Sequence, residues 1–238
     1  MRYTPQSITD DALESFEIVK SNPLIDIRGN YANLLLFNDT PVAIDWADCQ
    51  GSIGRHLARS GQFCLNDELE SLRYTLDGNL FKGTPISQLL YPALNLLAPG
   101  HYELKYHELP ENYCYIDFEE PQNSSNLYDA FYPYDWTLLF TQPRNQINPD
   151  QVNRYINLIK DGKRPICIII NTERSRISYV LDGHHKILAY WSNTEPSPHV
   201  IQICRIGSPK LPIDTFDRYF ADNPKLAEHY RKYGRDDA

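Results

Sequence analysis

Between Ile177 and Trp191 the apolar residues change period. Ile177 to Leu181 brings the backbone to the end of a strand and Gly183 allows a sharp turn. Ile187, Leu188 and Trp191 then follow helical spacing. A strand delivered directly into a helix commits the chain to a mixed α and β architecture and gathers Asp182, Gly183, His184, His185 and Lys186 at a helix N-terminus. Free backbone N–H groups and the positive end of the helix dipole suit an anion there, and Lys186 adds a full charge. Phosphate is the expected guest, although the same strand, glycine and helix also build ordinary β-α corners.

The residues around this corner read as a compact α/β unit. Trp136 to Thr141 has strand character, and a loop from Gln142 to Ile147 contains Arg144. Asn148-Pro149 is a cap followed by a first-turn proline, and Val152, Tyr155, Ile156 and Ile159 make one apolar helix face that Gly162 ends. Ile166 to Ile170 is an unbroken apolar run, as expected of a strand covered on both faces. His199 to Ile206 supplies a further strand, and Asp214 and Asn223-Pro224 open two tail helices.

The first half reads differently. Thr9 is placed to cap a short helix bearing Leu13, Phe16 and Val19, with a stop at Ser21-Asn22-Pro23. Leu24 to Ile27, Tyr31 to Phe37 and Val42 to Trp46 read as strands of a small antiparallel sheet. A second strand, glycine turn and helix is expected after Trp46, placing Arg55, His56 and Arg59 on a short helix; a structural turn is favoured there over a ligand site. Asp45 and Asp48 could chelate magnesium, against the ordinary reading of solvated loop acids. Asp67 to Leu72 reads as helix, Arg73 to Phe81 as a hairpin and Ile86 to Leu97 as a mostly apolar segment. His101 to Leu109 alternates as a strand with which Tyr113 to Phe118 is expected to pair.

Composition supports a boundary. Residues 1–125 hold 8 Lys+Arg against 18 Asp+Glu, a balance of −10, whereas residues 126–238 hold 15 against 13, a balance of +2. The polar stretch from Glu119 to Asn126 coincides with that change, so the expected organisation is an acidic, β-rich mixed domain over 1–125 and an α/β domain over 126–238. No dense Lys/Arg stripe is present, which disfavours nucleic acid as a partner. The first twenty residues are acidic and lack an apolar core, and no apolar run reaches transmembrane length, so neither secretion nor a membrane is expected and the cytoplasm is the simplest location. Five widely spaced cysteines with no Cys-x-x-Cys pair fit reduced thiols.

Pro143-Arg144, Asn148-Pro149, the amphipathic helix, Gly162, Pro165-Ile166, a hydrophobic strand and Leu181-Asp182-Gly183-His184-His185-Lys186 together resemble the ParB/sulfiredoxin-like domain, especially members with an Asp-Gly-His-His-Arg motif. The resemblance covers about the last half of the chain. It implies a loop and helix N-terminus that cradle nucleotide phosphates: partition proteins of the family bind CTP, sulfiredoxins use ATP, and a free-serine kinase uses ADP. Carried over by position, Gly183, His184, His185 and Lys186 would bind phosphate with Arg144 as a charge clamp, and Asp182 and His185 would be catalytic. ATP, ADP or CTP is the implied cofactor, with Mg²⁺ as its candidate companion and no resident metal.

Lys186 stands where the family has arginine, no cysteine lies in the motif, and no basic helix-turn-helix follows. Sulfiredoxin chemistry and chromosome partition are therefore disfavoured, leaving a phosphotransferase or nucleotide hydrolase acting on a small molecule. The alternative is a non-catalytic regulatory or immunity-type module whose acidic half docks a basic protein, with a nuclease third. Two simpler readings also stand: His184 as a hydrogen-bonded core histidine, and Asp182 as a helix cap.

Overall fold

The computed structural model describes residues 2–3, 13–19, 22–30, 32–47, 53–58, 70–77, 84–119, 127–130, 136–175, 177–193 and 197–233. Its strands are β1 (Arg2–Tyr3), β2 (Leu13–Ile18), β3 (Ile25–Asn30), β4 (Ala32–Phe37), β5 (Thr40–Ala47), β6 (Ile53–Ala58), β7 (Gly100–Glu108), β8 (Cys114–Ile116), β9 (Leu127–Ala130), β10 (Thr137–Phe140), β11 (Ile166–Thr172), β12 (Ile177–Asp182) and β13 (His199–Ile206). The helices are α1 (Glu70–Leu76), α2 (Ile86–Leu89), α3 (Tyr91–Leu94), α4 (Pro149–Lys160), α5 (His184–Trp191), α6 (Asp214–Tyr219) and α7 (Pro224–Tyr233).

An eight-stranded mixed sheet runs β1-β2-β7-β13-β11-β12-β10-β8, and a five-stranded antiparallel sheet runs β3-β4-β5-β6-β9. Side-chain alternation fixes how they stack. On β11, Ile168 and Ile170 point into a core shared with Ile27 and Leu35 of the smaller sheet, while Cys167 and Ile169 point the other way, toward Ile187 of α5. On β4, Leu34 and Leu36 face Phe216, Phe220 and Leu226 of α6 and α7. The result is four layers: α4 and α5, the larger sheet, the smaller sheet, then α6 and α7. All of β11 is buried, as its unbroken apolar run requires.

The expected boundary at 119–126 does not separate two sheets. The larger sheet draws β1, β2, β7 and β8 from before it and β10 to β13 from after it, and β9, from after it, joins the smaller sheet. Charge balance reports the solvent surface, whereas the backbone hydrogen bonds follow the apolar pattern across both halves.

Three further expectations are corrected. Leu13 to Ile18 is a strand, not a helix: Glu14, Phe16 and Ile18 alternate inward, and the Glu14 carboxylate accepts the Ile86 and Ser87 N–H groups at 2.6 and 3.1 Å, closing the N-terminus of α2. The segment bearing Arg55 and His56 is strand β6, with Arg55 opposite Trp46 and His56 opposite Asp45. Arg73 lies in α1 rather than in a hairpin, and β8 pairs with β10 in parallel rather than with β7. The expected cap Thr9, the turn at 48–52 with Asp48, Arg59, and the turn-rich stretch at 120–126 lie outside the described residues. No described helix is long and apolar enough to cross a membrane.

Candidate functional site

Strands β10 and β12 run parallel, so the loops leaving their C-terminal ends, 141–148 and 183, emerge side by side. Gly183 sits there at φ +110°, in the left-handed region, and caps α5. A Cβ at this position would stand 2.7 Å from Cys167 Sγ and 2.8 Å from Cys167 Cβ. Backbone strain of about 1–3 kcal/mol and overpacking of about 1–3 kcal/mol would add. Gly183→Ala is therefore expected to lower the urea midpoint strongly, and an unchanged midpoint would refute this account of the turn.

The two histidines staple the loops together. His184 is buried; its Nε2 accepts the Thr141 N–H at 3.1 Å, and the ring stands edge-on to Phe140. The Thr141 hydroxyl donates to the Val180 carbonyl at 2.6 Å, anchoring the contact to β12. Nε2 therefore carries no proton, and burial depresses His184 to about 3, so it is neutral at ordinary pH. This is the core-histidine role, with no free ring nitrogen at Nε2 for phosphate. His185, half-buried, accepts the Asn148 N–H through Nε2 at 3.0 Å, and burial lowers its pKa as well. That contact ties the first turn of α5 to Asn148, whose Oδ1 accepts the Asp150 N–H at 2.9 Å and caps α4. The Nε2 of His185, expected to act in catalysis, is engaged in that contact.

Lys186 departs furthest from expectation. It is 3% exposed, and its Nζ donates to the Asp182 Oδ2 at 2.6 Å and the Ile166 carbonyl at 2.9 Å, below the Tyr155 ring. Long side chains in a first helical turn run back toward the N-terminus, which carries the ammonium into the fold instead of out to a ligand. The i,i+4 spacing of Asp182 and Lys186 was the available signal. Asp182 keeps 40% of its side-chain surface. Burial works to raise its pKa, but the Lys186 ammonium outweighs it and holds the carboxyl below its ordinary value.

Arg144, in a 3₁₀ turn (Arg144–Gln146), is exposed and grips Asp117 in a two-pronged ion pair at 2.8 and 2.8 Å. It stands on the same 141–148 loop as the stapled residues, with its charge already matched. Asp45 cannot serve magnesium: it is 2% exposed, and its carboxylate contacts Asn33 Nδ2 and the Tyr179 hydroxyl. Among the described residues no group of three or more His, Cys, Asp or Glu is placed to hold a metal ion.

The Thr141 and Asn148 N–H contacts to the two histidines were not anticipated from the sequence, whereas Cys167 is the buried free thiol expected of it and packs under Gly183. No family model, curated protein or solved structure matches this chain.

Proposed function

We propose that the protein binds a nucleotide through its phosphates at the corner where α4 and α5 begin, and transfers or hydrolyses a phosphoryl group, as in the ParB/sulfiredoxin-like domain that its second half resembles. The supporting observation is the His185–Asn148 contact, which draws two helix N-termini, each with a positive dipole end, to one place beside a partly exposed carboxylate. In this reading Asp182, kept ionised by Lys186, takes the proton of an acceptor hydroxyl or water as that oxygen bonds to the terminal phosphorus. The phosphoanhydride P–O bond breaks, and the nucleotide leaves with the electron pair. Mg²⁺ would accompany the nucleotide, held by its phosphates, and would neutralise their charge.

A second reading is a nucleotide-binding module without turnover. It is favoured by the internal engagement of His184, His185 and Lys186, which leaves Asp182 as the partly exposed charged group of the motif.

Melting curves with ATP, ADP and CTP, with and without Mg²⁺, test both. At a hundredfold excess over Kd, binding stabilises by about 2.7 kcal/mol, a rise of about 5–10 °C for a chain of this size. His185→Ala should shrink that rise by releasing α4. A flat response to all three nucleotides would overturn the site. Phosphate release lost in Asp182→Asn with binding retained marks the enzyme; binding without release marks the module.

A further inference from the structure

A cleft of about 360 Å³ opens on the opposite layer, between the end of β3, the end of β13 and α6. In a chain of net charge −8 its lining includes Arg28, Arg205, Lys210 and Arg218, with Asp214 as the acid among the lining residues. The ion pairs behind it leave positive charge over. Asp26 is shared by two guanidiniums, Arg28 Nε at 2.6 Å and Arg205 at 2.6 Å, while Asp39 holds Arg218 at 2.7 Å and stands 4.0 Å from Arg28. With Asp214 counted, three guanidiniums and the Lys210 ammonium stand against three carboxylates, one positive charge in excess. Tyr219 links them, its hydroxyl accepting from Arg28 at 3.1 Å and donating to Asp39 at 2.7 Å.

Two features separate this from a chance cluster of surface arginines. Arg205 is fixed in place, donating also to the Ile27 carbonyl and, at 3.1 Å, to the Pro99 carbonyl, so its charge is a permanent wall of the cleft. Ser208, 6% exposed and lining the same cleft, accepts the Gly29 N–H at 3.0 Å, which leaves its hydroxyl proton to donate. A buried hydroxyl free to turn its proton into the cleft, beside an excess positive charge, describes a receptor for an oxyanion.

We propose that this cleft binds the phosphate group of a small phosphate monoester, with Arg28 and Arg218 as the adjustable fork, Ser208 as a neutral donor and Arg205 as the fixed charge. Planar guanidinium forks match phosphate oxygens two at a time, and the volume admits a small molecule. The site is separate from the corner at α4 and α5 and stands or falls without it.

Glycerol 2-phosphate, titrated into the full-length protein while the arginine Nε–H signals are followed by NMR, is the test. Saturable shifts of the Arg28 and Arg218 signals are expected. Arg218→Ala should weaken binding at least tenfold, and since Arg218 is 60% exposed in a surface pair, the variant should fold. Lys210→Glu should weaken it too, and His185→Ala should leave it unchanged. Absence of saturation, equal affinity in Arg218→Ala, or loss of the shifts in His185→Ala would each overturn the assignment.

Discussion

Asp182→Ala should cost about 3–5 kcal/mol of folding stability, because it strands an ammonium rather than removing a surface charge. Lys186 is 3% exposed, and without Asp182 it keeps only the Ile166 carbonyl and the face of Tyr155. In the native protein burial works to lower the Lys186 pKa, and Asp182 more than compensates, holding it above its ordinary value. With the carboxylate gone, burial is opposed only by the weaker pull of Cys167 and Tyr155, so the ammonium is expected to shed its proton more readily folded than unfolded. The damage should therefore shrink as pH rises toward the ordinary lysine range. Urea denaturation at pH 7 and pH 10 measures both effects, and the double variant Asp182→Asn/Lys186→Met, which removes the charges and keeps the volume, should recover most of the loss. A cost below 1 kcal/mol in Asp182→Ala would mean that the ammonium reaches water. Activity lost in Asp182→Ala would accordingly say little about catalysis, whereas Asp182→Asn keeps an acceptor for Lys186.

Asp45→Asn is expected to stabilise the protein at pH 8 by up to about 4 kcal/mol and to change it little at pH 4. The Asp45 carboxyl lies between the sheets among Asn33, Thr172 and Tyr179, and burial, only partly offset by hydrogen bonds from Tyr179 and Asn33, pushes it up to about 7. Proton counting agrees. The Tyr179 oxygen has one proton but two acceptors beside it, the Asn33 carbonyl at 2.9 Å and the Asp45 carboxyl; a protonated Asp45 supplies the second. A folded-state pKa above the ordinary 3.8 means that the folded chain holds more protons across that window, so stability falls as pH rises from about 4 to about 7. His184 acts oppositely: depressed to about 3, it takes stability away as pH falls below its ordinary 6.5. The two slopes offset one another where they overlap, and Asp45→Asn uncovers the histidine's. Stability curves from pH 4 to pH 8 for both proteins check this; a variant parallel to wild type throughout would refute the raised carboxyl.

Where local pattern and burial agree, the sequence was readable. Asn148-Pro149 and the 3.6-residue spacing behind it located α4, Gly183 located the α5 corner, and the Ile166 to Ile170 run announced a strand covered on both faces. Leu13, Phe16 and Val19 misled because their spacing of three imitates a helix, while the inward residue that decides the matter is Glu14, a carboxylate no apolar pattern counts as core. Gly51 and Gly54 likewise read as a turn into a helix, yet Arg55 and His56 lie in a strand paired with β5. In the motif itself the residue types were visible and the side-chain directions were not. Whether Lys186 reaches a ligand or turns back to Asp182 depends on Ile166 and Tyr155, supplied by β11 and α4. The Asp45 cluster was hidden for a similar reason: Asn33, Asp45 and Tyr179 meet only when the two sheets stack.

The order of strands in the larger sheet also sets a timetable for synthesis. β7 is complete by residue 108, but one of its two neighbours, β13, begins at residue 199, and the two pair over eight positions from His199↔Glu108 to Ile206↔His101. A nascent chain that stops anywhere between carries an open edge through the middle of its future core, the kind of edge that recruits a strand from another molecule. The ribosome therefore cannot hand over a finished first half and then a finished second. Protection of β7 comes from residues made about ninety positions later, and the rate at which that contact forms decides between folding and aggregation.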